Sequence, residues 1–230
     1  MKESYQTHYR EIEDNHPWFV ARSELFLRLL PTCRNTSILD FGCGSGKFLK
    51  ELKSLGYDNL DGVEVAQDGI AVSANHEQPK ITQKIQKKEY DIILMMDVLE
   101  HIEDDLSCLN DMRRHLKTGG LIILSVPAYE LLWSEHDDVN MHYRRYNRKK
   151  LRGILQSAEF KINYITHWNM ILLPLIALSR LINKNTHAET RLGSNWVSRL
   201  ILIILRFENR LLKLFNLPFG LSIIACGTNE

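Results

Sequence analysis

Apolar and polar positions along the chain form two kinds of segment. Continuous apolar runs occupy 38–41, 90–96 and 121–126, and each is followed by a turn or loop that carries glycine or polar residues. Runs of this kind are typical of strands buried on both faces of a parallel sheet. Between them, 47–55 and 104–116 place apolar residues three or four positions apart, the spacing of amphipathic helices. The alternation predicts an α/β fold built on a doubly wound sheet.

Further segments complete the predicted sheet and leave one long insertion. Shorter strands are predicted at 59–65 and 80–85, and an alternating strand at 160–167 is followed much later by a last strand at 221–226. The stretch between the last two strands is too long for a hairpin and carries helical patterns. The chain is therefore predicted to contain an N-terminal helical lid, a core, a helical insertion and the last strand of the core, at residues 1–36, 37–168, 169–220 and 221–230.

A glycine-rich turn after the first strand is the strongest candidate for a ligand site. Gly42, Gly44 and Gly46 are separated by single residues, and Asp40 precedes them at the end of the strand. The spacing differs from the G-x-G-x-x-G of dinucleotide-binding proteins, and Lys47 is not followed by the Ser or Thr of a phosphate-binding loop. A carboxylate at this point suits a cationic or amine-bearing ligand better than a diphosphate.

The segment 38–46, Ile-Leu-Asp-Phe-Gly-Cys-Gly-Ser-Gly, resembles motif I of the class I S-adenosylmethionine-dependent methyltransferases. The likeness is to their bacterial small-molecule (type 11/12-like) subgroup and extends from about residue 16 to residue 168. It implies a Rossmann-like sheet of seven strands with the last strand antiparallel. It also implies S-adenosyl-L-methionine as the methyl donor and S-adenosyl-L-homocysteine as the product. Two alternatives stay open here: an NAD-type oxidoreductase, and a non-catalytic cofactor-binding scaffold associated with a membrane.

The resemblance assigns cofactor contacts to the turn and to the ends of neighbouring strands. Glu64 is placed to bind ribose hydroxyls, and Asp97 to line the pocket near the sulfonium. Arg22 matches an arginine in an aromatic segment of some family members and is a candidate partner for the methionyl carboxylate. Gln83 lies where the family usually has an acidic adenine contact. The predicted cofactor contacts are Arg22, Asp40, Gly42, Cys43, Gly44, Gly46, Glu64, Val65, Gln83, Met96, Asp97 and Val98.

The polar loop 133–146 after the fifth strand is the predicted acceptor site, and it resembles segments of a bacterial subgroup of the family. His136 or His142 is the candidate catalytic base, with Glu135 or Asp137 orienting the imidazole. The alternative is that both histidines only shape the loop. The predicted acceptor-binding residues are Trp133, Tyr143, Arg144 and Arg145, the two arginines as partners of a phosphate or carboxylate. Glu100 and His101 could suggest an acid–base pair, but they are assigned a structural role because adjacent residues are not expected to face each other.

The insertion contains a predicted helix at 196–215 that combines apolar residues with arginine and lysine. A basic amphipathic helix suits a cap over the substrate pocket, a homodimer surface, or peripheral contact with a membrane through 169–217. The acceptor is expected to be an oxygen or nitrogen of a small-molecule or lipid-linked compound.

Composition restricts the remaining choices. The 29 basic and 28 acidic residues leave a net charge of +1, which gives no general attraction to nucleic acid. The four cysteines lack paired spacing, so neither a disulfide framework nor a metal site is expected, and a reducing compartment is favoured. The polar N-terminus resembles no secretory signal, and no apolar stretch is long enough to span a membrane. A cytoplasmic protein is expected, with peripheral contact at the inner membrane surface left open.

Overall fold

The computed structural model describes four parts of the chain: residues 16–64, 79–86, 89–182 and 195–230. The helix predicted at 67–74 and the predicted cofactor contact Val65 lie outside these residues. The described residues contain the strands β1 Ile38–Phe41, β2 Leu60–Val63, β3 Lys80–Thr82, β4 Tyr90–Met96, β5 Leu116–Pro127, β6 Phe160–Trp168 and β7 Ser222–Asn229. The helices are α1 Pro17–Leu29, α2 Lys47–Ser54, α3 Asp105–Arg114, α4 Glu135–Val139, α5 Arg148–Ser157, α6 Leu173–Ile182 and α7 Asn195–Leu211.

The seven strands form one sheet in the order β3-β2-β1-β4-β5-β7-β6. The first five strands pair in parallel, and β7 inserts antiparallel between β5 and β6. The predicted seven-stranded, doubly wound sheet with an antiparallel last strand is therefore confirmed. The strand order reverses between β1 and β4, and the crevice at the carboxyl ends of such strands is where open α/β sheets bind ligands.

The sheet is buried on both faces, as the continuous apolar runs predict. In β4, Ile92 and Leu94 belong to the core on one face, whereas Ile93 and Met95 belong to the core on the other. All four side chains are almost fully buried. Alternate residues of β4 therefore pack into two cores, which explains why positions 92–96 are all apolar.

Several predicted boundaries are wrong, and two of them show the reason. The helix predicted over 104–116 ends at Arg114, because Leu116 already pairs with Tyr90 as the first residue of β5. The side-chain amide of Asn229 donates to the carbonyl of Leu116 at 2.9 Å and so fixes this corner. The same residue pairs with Phe160, which extends β7 three positions beyond the predicted 226. Both errors arise from pairing between residues that are distant in sequence.

The N-terminal helix α1 and the insertion helix α7 pack against each other. The Asn209 side-chain amide donates to the Ala21 carbonyl at 2.8 Å, and the indole N–H of Trp168 donates to the Asn209 side-chain oxygen at 2.9 Å. Arg206 and Glu24 form an exposed ion pair at 2.6 Å. The lid and the insertion therefore share an interface beside the end of β6, and the proposed division at 36 and 169 stays a prediction.

One face of α7 is apolar and exposed. Trp196, Leu200, Ile203 and Phe207 follow each other at helical spacing, and between 48% and 68% of each side chain is accessible. The opposite face contributes Leu205 to the core. Among the described residues, every helix is too short or too polar to cross a lipid bilayer.

Candidate active site

The glycine turn between β1 and α2 has a backbone that other residues rarely adopt. Gly42, Gly44 and Gly46 have φ values of 77°, 53° and 73°. A Cβ on Gly42 would lie 2.4 Å from a methyl group of Val98, so the turn packs tightly on the segment after β4. Among the residues that the structure describes, and apart from its own chain neighbours, no atom lies within 4 Å of a Cβ placed on Gly44. The open side of the turn is therefore at Gly44.

The backbone N–H groups of the turn have partners inside the protein. Gly42 and Cys43 donate to the carbonyl of Val63 at 2.8 and 3.1 Å. Gly44 donates to the Glu64 carboxylate at 2.8 Å, which holds that carboxylate against the turn. A diphosphate needs such N–H groups for itself, whereas a ligand with hydroxyls and a positive charge is complementary to the carboxylates of Asp40 and Glu64. The residues present therefore fit a nucleoside-containing cation better than a dinucleotide.

Arg22 and Asp97 form an ion pair at the carboxyl end of β4. Asp97 has a φ of 57°, and the guanidinium of Arg22 also lies 4.6 Å from the ring centre of Trp18. Backbone conformations of this kind concentrate at functional sites. Helix α1 thus brings its predicted cofactor residue to the sheet edge where the glycine turn lies.

Asp137 organises the loop after β5. Its side chain is fully buried and accepts hydrogen bonds from Nε and one terminal N–H of Arg145, both at 2.8 Å. It also bonds Nδ1 of His142 at 2.8 Å and the backbone N–H of Ser134 at 2.9 Å. Burial alone would raise the pKa of Asp137, but the bonds from His142 and Arg145 outweigh it and hold the pKa well below its ordinary value. Asp137 is therefore the residue that orients a histidine.

His142 lies in a cluster with Glu100 and His101, which occupy the 3₁₀ turn Leu99–His101 after β4. The rings of His101 and His142 meet edge to face with centres 4.5 Å apart. One side-chain nitrogen or carboxylate oxygen from each of the three residues lies within 4.8 Å of those of the other two. Glu100 and His101 are neighbours in the chain, and the tight turn brings one potential ligand atom of each within 4.8 Å of the other. The structural role assigned to them stays a prediction.

The remaining predicted acceptor residues lie around this cluster. His136 is half-buried, and its ring centre is 6.3 Å from that of His142. Arg144 pairs with Asp105 at 2.9 Å, and the indole N–H of Trp133 donates to Asp138 at 2.9 Å. Arg145 is 3% exposed and contacts its own loop, and Tyr143 is 54% exposed. Anion binding by Arg144 and Arg145 stays a prediction, and their contacts in the structure are to protein groups.

The other predicted cofactor residues are dispersed. Cys43 is buried beneath the turn, Met96 is half-buried at the end of β4, and Gln83 is exposed in a bend after β3. Their roles stay predictions. Sequence reasoning missed the hydrogen bond of 3.0 Å between the Tyr129 hydroxyl and Nε2 of His167, which joins the ends of β5 and β6. No local spacing signals that pair, because the two residues are brought together by the sheet.

The chain matches the methyltransferase-domain family over residues 9–165. A curated relative, the ubiquinone biosynthesis O-methyltransferase of Hydrogenovibrio crunogenus, is 28% identical over 112 residues, which cover 44% of this chain and 46% of that protein. The chain therefore spans less than half the length of this relative.

Solved structures share the fold at low sequence identity. The complex of the Haloferax volcanii Trm112 methyltransferase activator with a methyltransferase described as putative superposes with a TM-score of 0.66 at 15% identity, covering 99% of this chain and 95% of that chain. Haemonchus contortus phosphoethanolamine N-methyltransferase 2 in complex with S-adenosyl-L-methionine gives a TM-score of 0.64 at 16% identity, covering 100% of this chain and 57% of that chain.

Proposed function

The chain belongs to the methyltransferase-domain family, and from that membership we propose that it transfers a methyl group from S-adenosyl-L-methionine to an oxygen of a small molecule. The observation that supports this methyl donor is the geometry of the glycine turn. Gly44 has open space beside it, and its backbone N–H donates to the Glu64 carboxylate. Its N–H groups are bonded within the protein, which argues against the NAD-type alternative.

The donor, when bound, supplies a methyl group activated by a positively charged sulfur. The protein has to hold that methyl group in line with the acceptor oxygen and to assist loss of the hydroxyl proton as the carbon–oxygen bond forms. His142 is the side chain that we assign to the acceptor hydroxyl, because Asp137 fixes its ring at the carboxyl edge of the sheet. His136, the other candidate base, is not part of the cluster formed by Glu100, His101 and His142.

An oxygen acceptor is favoured over nitrogen by the names of the curated relatives, several of which are O-methyltransferases of ubiquinone biosynthesis. A lipid-linked acceptor fits the same names and the exposed apolar face of α7. We extend the proposal accordingly: the chain acts on a lipid-linked hydroxyl and contacts a membrane surface peripherally from the cytoplasmic side. Arg199, Arg210 and Lys213 are exposed on or just after α7 and would favour anionic lipid.

The donor proposal is tested by calorimetry with S-adenosyl-L-homocysteine, with NAD⁺ as the comparison ligand. We expect binding of the former and none of the latter. Incubation with S-adenosyl-L-methionine and a panel of phenolic, glycosyl and lipid-linked hydroxyl compounds should then release S-adenosyl-L-homocysteine with some members and transfer a labelled methyl group to oxygen. Tighter binding of NAD⁺, or labelling of nitrogen alone, would contradict the proposal.

The membrane contact is tested by flotation with phosphatidylglycerol vesicles at low salt. The wild-type chain should float, and the exposed-face variants Leu200→Glu and Ile203→Glu should not. The matched control Arg152→Glu, on the exposed side of α5, should float like the wild type. Absence of flotation together with a concentration-dependent doubling of mass would instead assign the face of α7 to a homodimer.

A further inference from the structure

We propose that Glu100, His101 and His142 bind a divalent transition-metal cation at the carboxyl edge of the sheet. The three residues come from two separate segments, the 3₁₀ turn after β4 and the loop after α4. One potential ligand atom of each lies within 4.8 Å of the other two. The main-chain N–H of Tyr143 donates to the Glu100 carbonyl at 2.8 Å, which fixes one segment against the other.

Glu100 is the first sign that the cluster has a ligand. Its side chain is 1% exposed, and its Oε2 atom makes no hydrogen bond with the described residues. A buried carboxylate oxygen that accepts no hydrogen bond is costly, and a coordinated cation offsets that cost.

The ring of His142 is oriented by a carboxylate, as the rings of metal-bound histidines usually are. Its Nδ1 atom is bonded to the Asp137 carboxylate, which leaves Nε2 as the nitrogen for a metal. Asp137 is itself fixed by two N–H groups of Arg145. A carboxylate behind a ligating imidazole sets its tautomer and orientation and makes it a stronger ligand. The arrangement therefore supplies both a ligand and the group that supports it.

His101 provides the second nitrogen. Its side chain is half-buried beside His142, and one of its ring nitrogens lies within 4.8 Å of a potential ligand atom of each of the other two residues. Ligand atoms about 2.1 Å from one metal lie at most about 4.2 Å apart, so a small rotation of these side chains completes the site.

The donor set identifies the class of cation. Two imidazole nitrogens and one carboxylate oxygen are the ligands of catalytic zinc sites and of other divalent transition metals, whereas magnesium and calcium prefer oxygen alone. Three protein ligands leave a coordination position open. If the proposed methyl transfer holds, the acceptor oxygen binds the cation at that position, and the cation lowers the pKa of the acceptor hydroxyl. His142 then acts on the acceptor through the cation.

The test uses the full chain without a histidine tag, treated with chelator and titrated with Co²⁺ under reducing conditions. We expect one equivalent to bind with visible absorption typical of nitrogen and oxygen ligands, and Zn²⁺ to displace it. Glu100→Gln and His142→Gln should each weaken Co²⁺ binding at least tenfold. The control His115→Gln removes a half-buried histidine outside the cluster and should bind like the wild type.

Three outcomes would overturn the proposal: no Co²⁺ binding, equal binding by Glu100→Gln and the wild type, or a charge-transfer band that assigns the metal to a cysteine. Thermal unfolding of each variant is measured in chelator, so that loss of fold is not read as loss of a ligand. Binding of S-adenosyl-L-homocysteine is measured on the same metal-free protein. If the protein binds S-adenosyl-L-homocysteine but not Co²⁺, only the metal proposal is wrong. If it binds Co²⁺ but not S-adenosyl-L-homocysteine, only the donor assignment is wrong.

Discussion

The two ends of the active site are built differently. The donor end lies largely in one continuous stretch, Asp40 to Gly46, with Glu64 added from the next strand. The acceptor end joins the turn Leu99–His101 to the loop residues Asp137 and His142, about forty residues later. A continuous stretch can be recognised from residue types and spacing alone. A cluster assembled by the fold has no local signature, so the sequence selected the loop but not the residues of the preceding turn that lie beside it.

The ends also differ in how they are stabilised. The glycine turn depends on backbone hydrogen bonds, which contribute about 1 kcal/mol each. The acceptor end depends on buried charges, with Asp137 between Arg145 and His142. Removing one member of a buried charged group leaves the others without compensation, which costs more than losing a single backbone bond. Substitutions at the acceptor end should therefore have the larger effects.

The largest effect is expected from His142→Gln. Losing the imidazole that we propose faces the acceptor should lower kcat by about 10²-fold to 10⁴-fold, the range for loss of a positioned acid–base group. The dissociation constant for S-adenosyl-L-homocysteine should stay within about twofold, because the glycine turn is untouched. Steady-state kinetics and calorimetry on the same preparation give both values.

His136→Gln is the matched control for that prediction, since His136 lies in the same loop with its ring centre 6.3 Å away. It should keep turnover within a few-fold of the wild type. Equal losses in both variants would mean that the loop, rather than His142, is what the chemistry needs.

The fold was more predictable than the site. The run Tyr90–Met96 is apolar at nearly every position, and the structure confirms it as the central strand β4. Sheet topology follows from the alternation of strands and helices, because parallel strands need crossover helices. The helix boundary at Arg114 was missed, because it is set by pairing of Leu116 with Tyr90 and by Asn229.

At the site, too, features of a continuous stretch could be predicted, whereas contacts assembled by the fold could not. Gly44 and Glu64 were selected from the sequence, and the structure brings them into contact. His142 was selected together with His136, and the structure distinguishes His142 by its hydrogen bond to the Asp137 carboxylate and by its place beside Glu100 and His101. Glu100 was assigned a structural role because adjacent residues are not expected to face each other, whereas the 3₁₀ turn places one of its carboxylate oxygens within 4.8 Å of a ring nitrogen of His142. Such contacts depend on backbone geometry that residue spacing does not determine.

The next largest effect is expected on stability, from Asp137→Asn. The substitution removes the negative charge between Arg145 and His142 and leaves the guanidinium buried without a counter-charge. The free energy of unfolding should fall by about 3 kcal/mol or more, as for other buried pairs that lose one partner. Urea denaturation followed by circular dichroism measures it.

Asp138→Asn is the control on the same short helix. Asp138 is exposed and accepts one hydrogen bond, from Trp133, so its substitution should change the free energy of unfolding by about 0.5 kcal/mol or less. Similar losses in the two variants would contradict the view that the buried charges stabilise the acceptor end.

A smaller effect is expected at the donor end from Gly44→Ala. The methyl group would meet no protein atom but would fill the open side of the turn. Affinity for S-adenosyl-L-homocysteine should fall at least tenfold, about 1.4 kcal/mol. Gly56→Ala is the matched control: it also has a positive φ, of 88°, and open space around its Cβ, but it lies beyond α2. Loss of affinity in both variants would attribute the effect to backbone strain rather than to the ligand.

The smallest effect is expected from Glu64→Gln. A glutamine side-chain oxygen can still accept the Gly44 N–H, so the turn should keep its shape, but the bond loses the charge that strengthens it. If Glu64 also binds the donor, affinity for S-adenosyl-L-homocysteine should fall about threefold to tenfold, while the melting temperature changes little. The control Glu51→Gln, on α2, should leave affinity unchanged. A lower melting temperature with unchanged affinity would mean that Glu64 only supports the glycine turn. Gly44 would then be the residue at this end of the site that determines affinity for the donor.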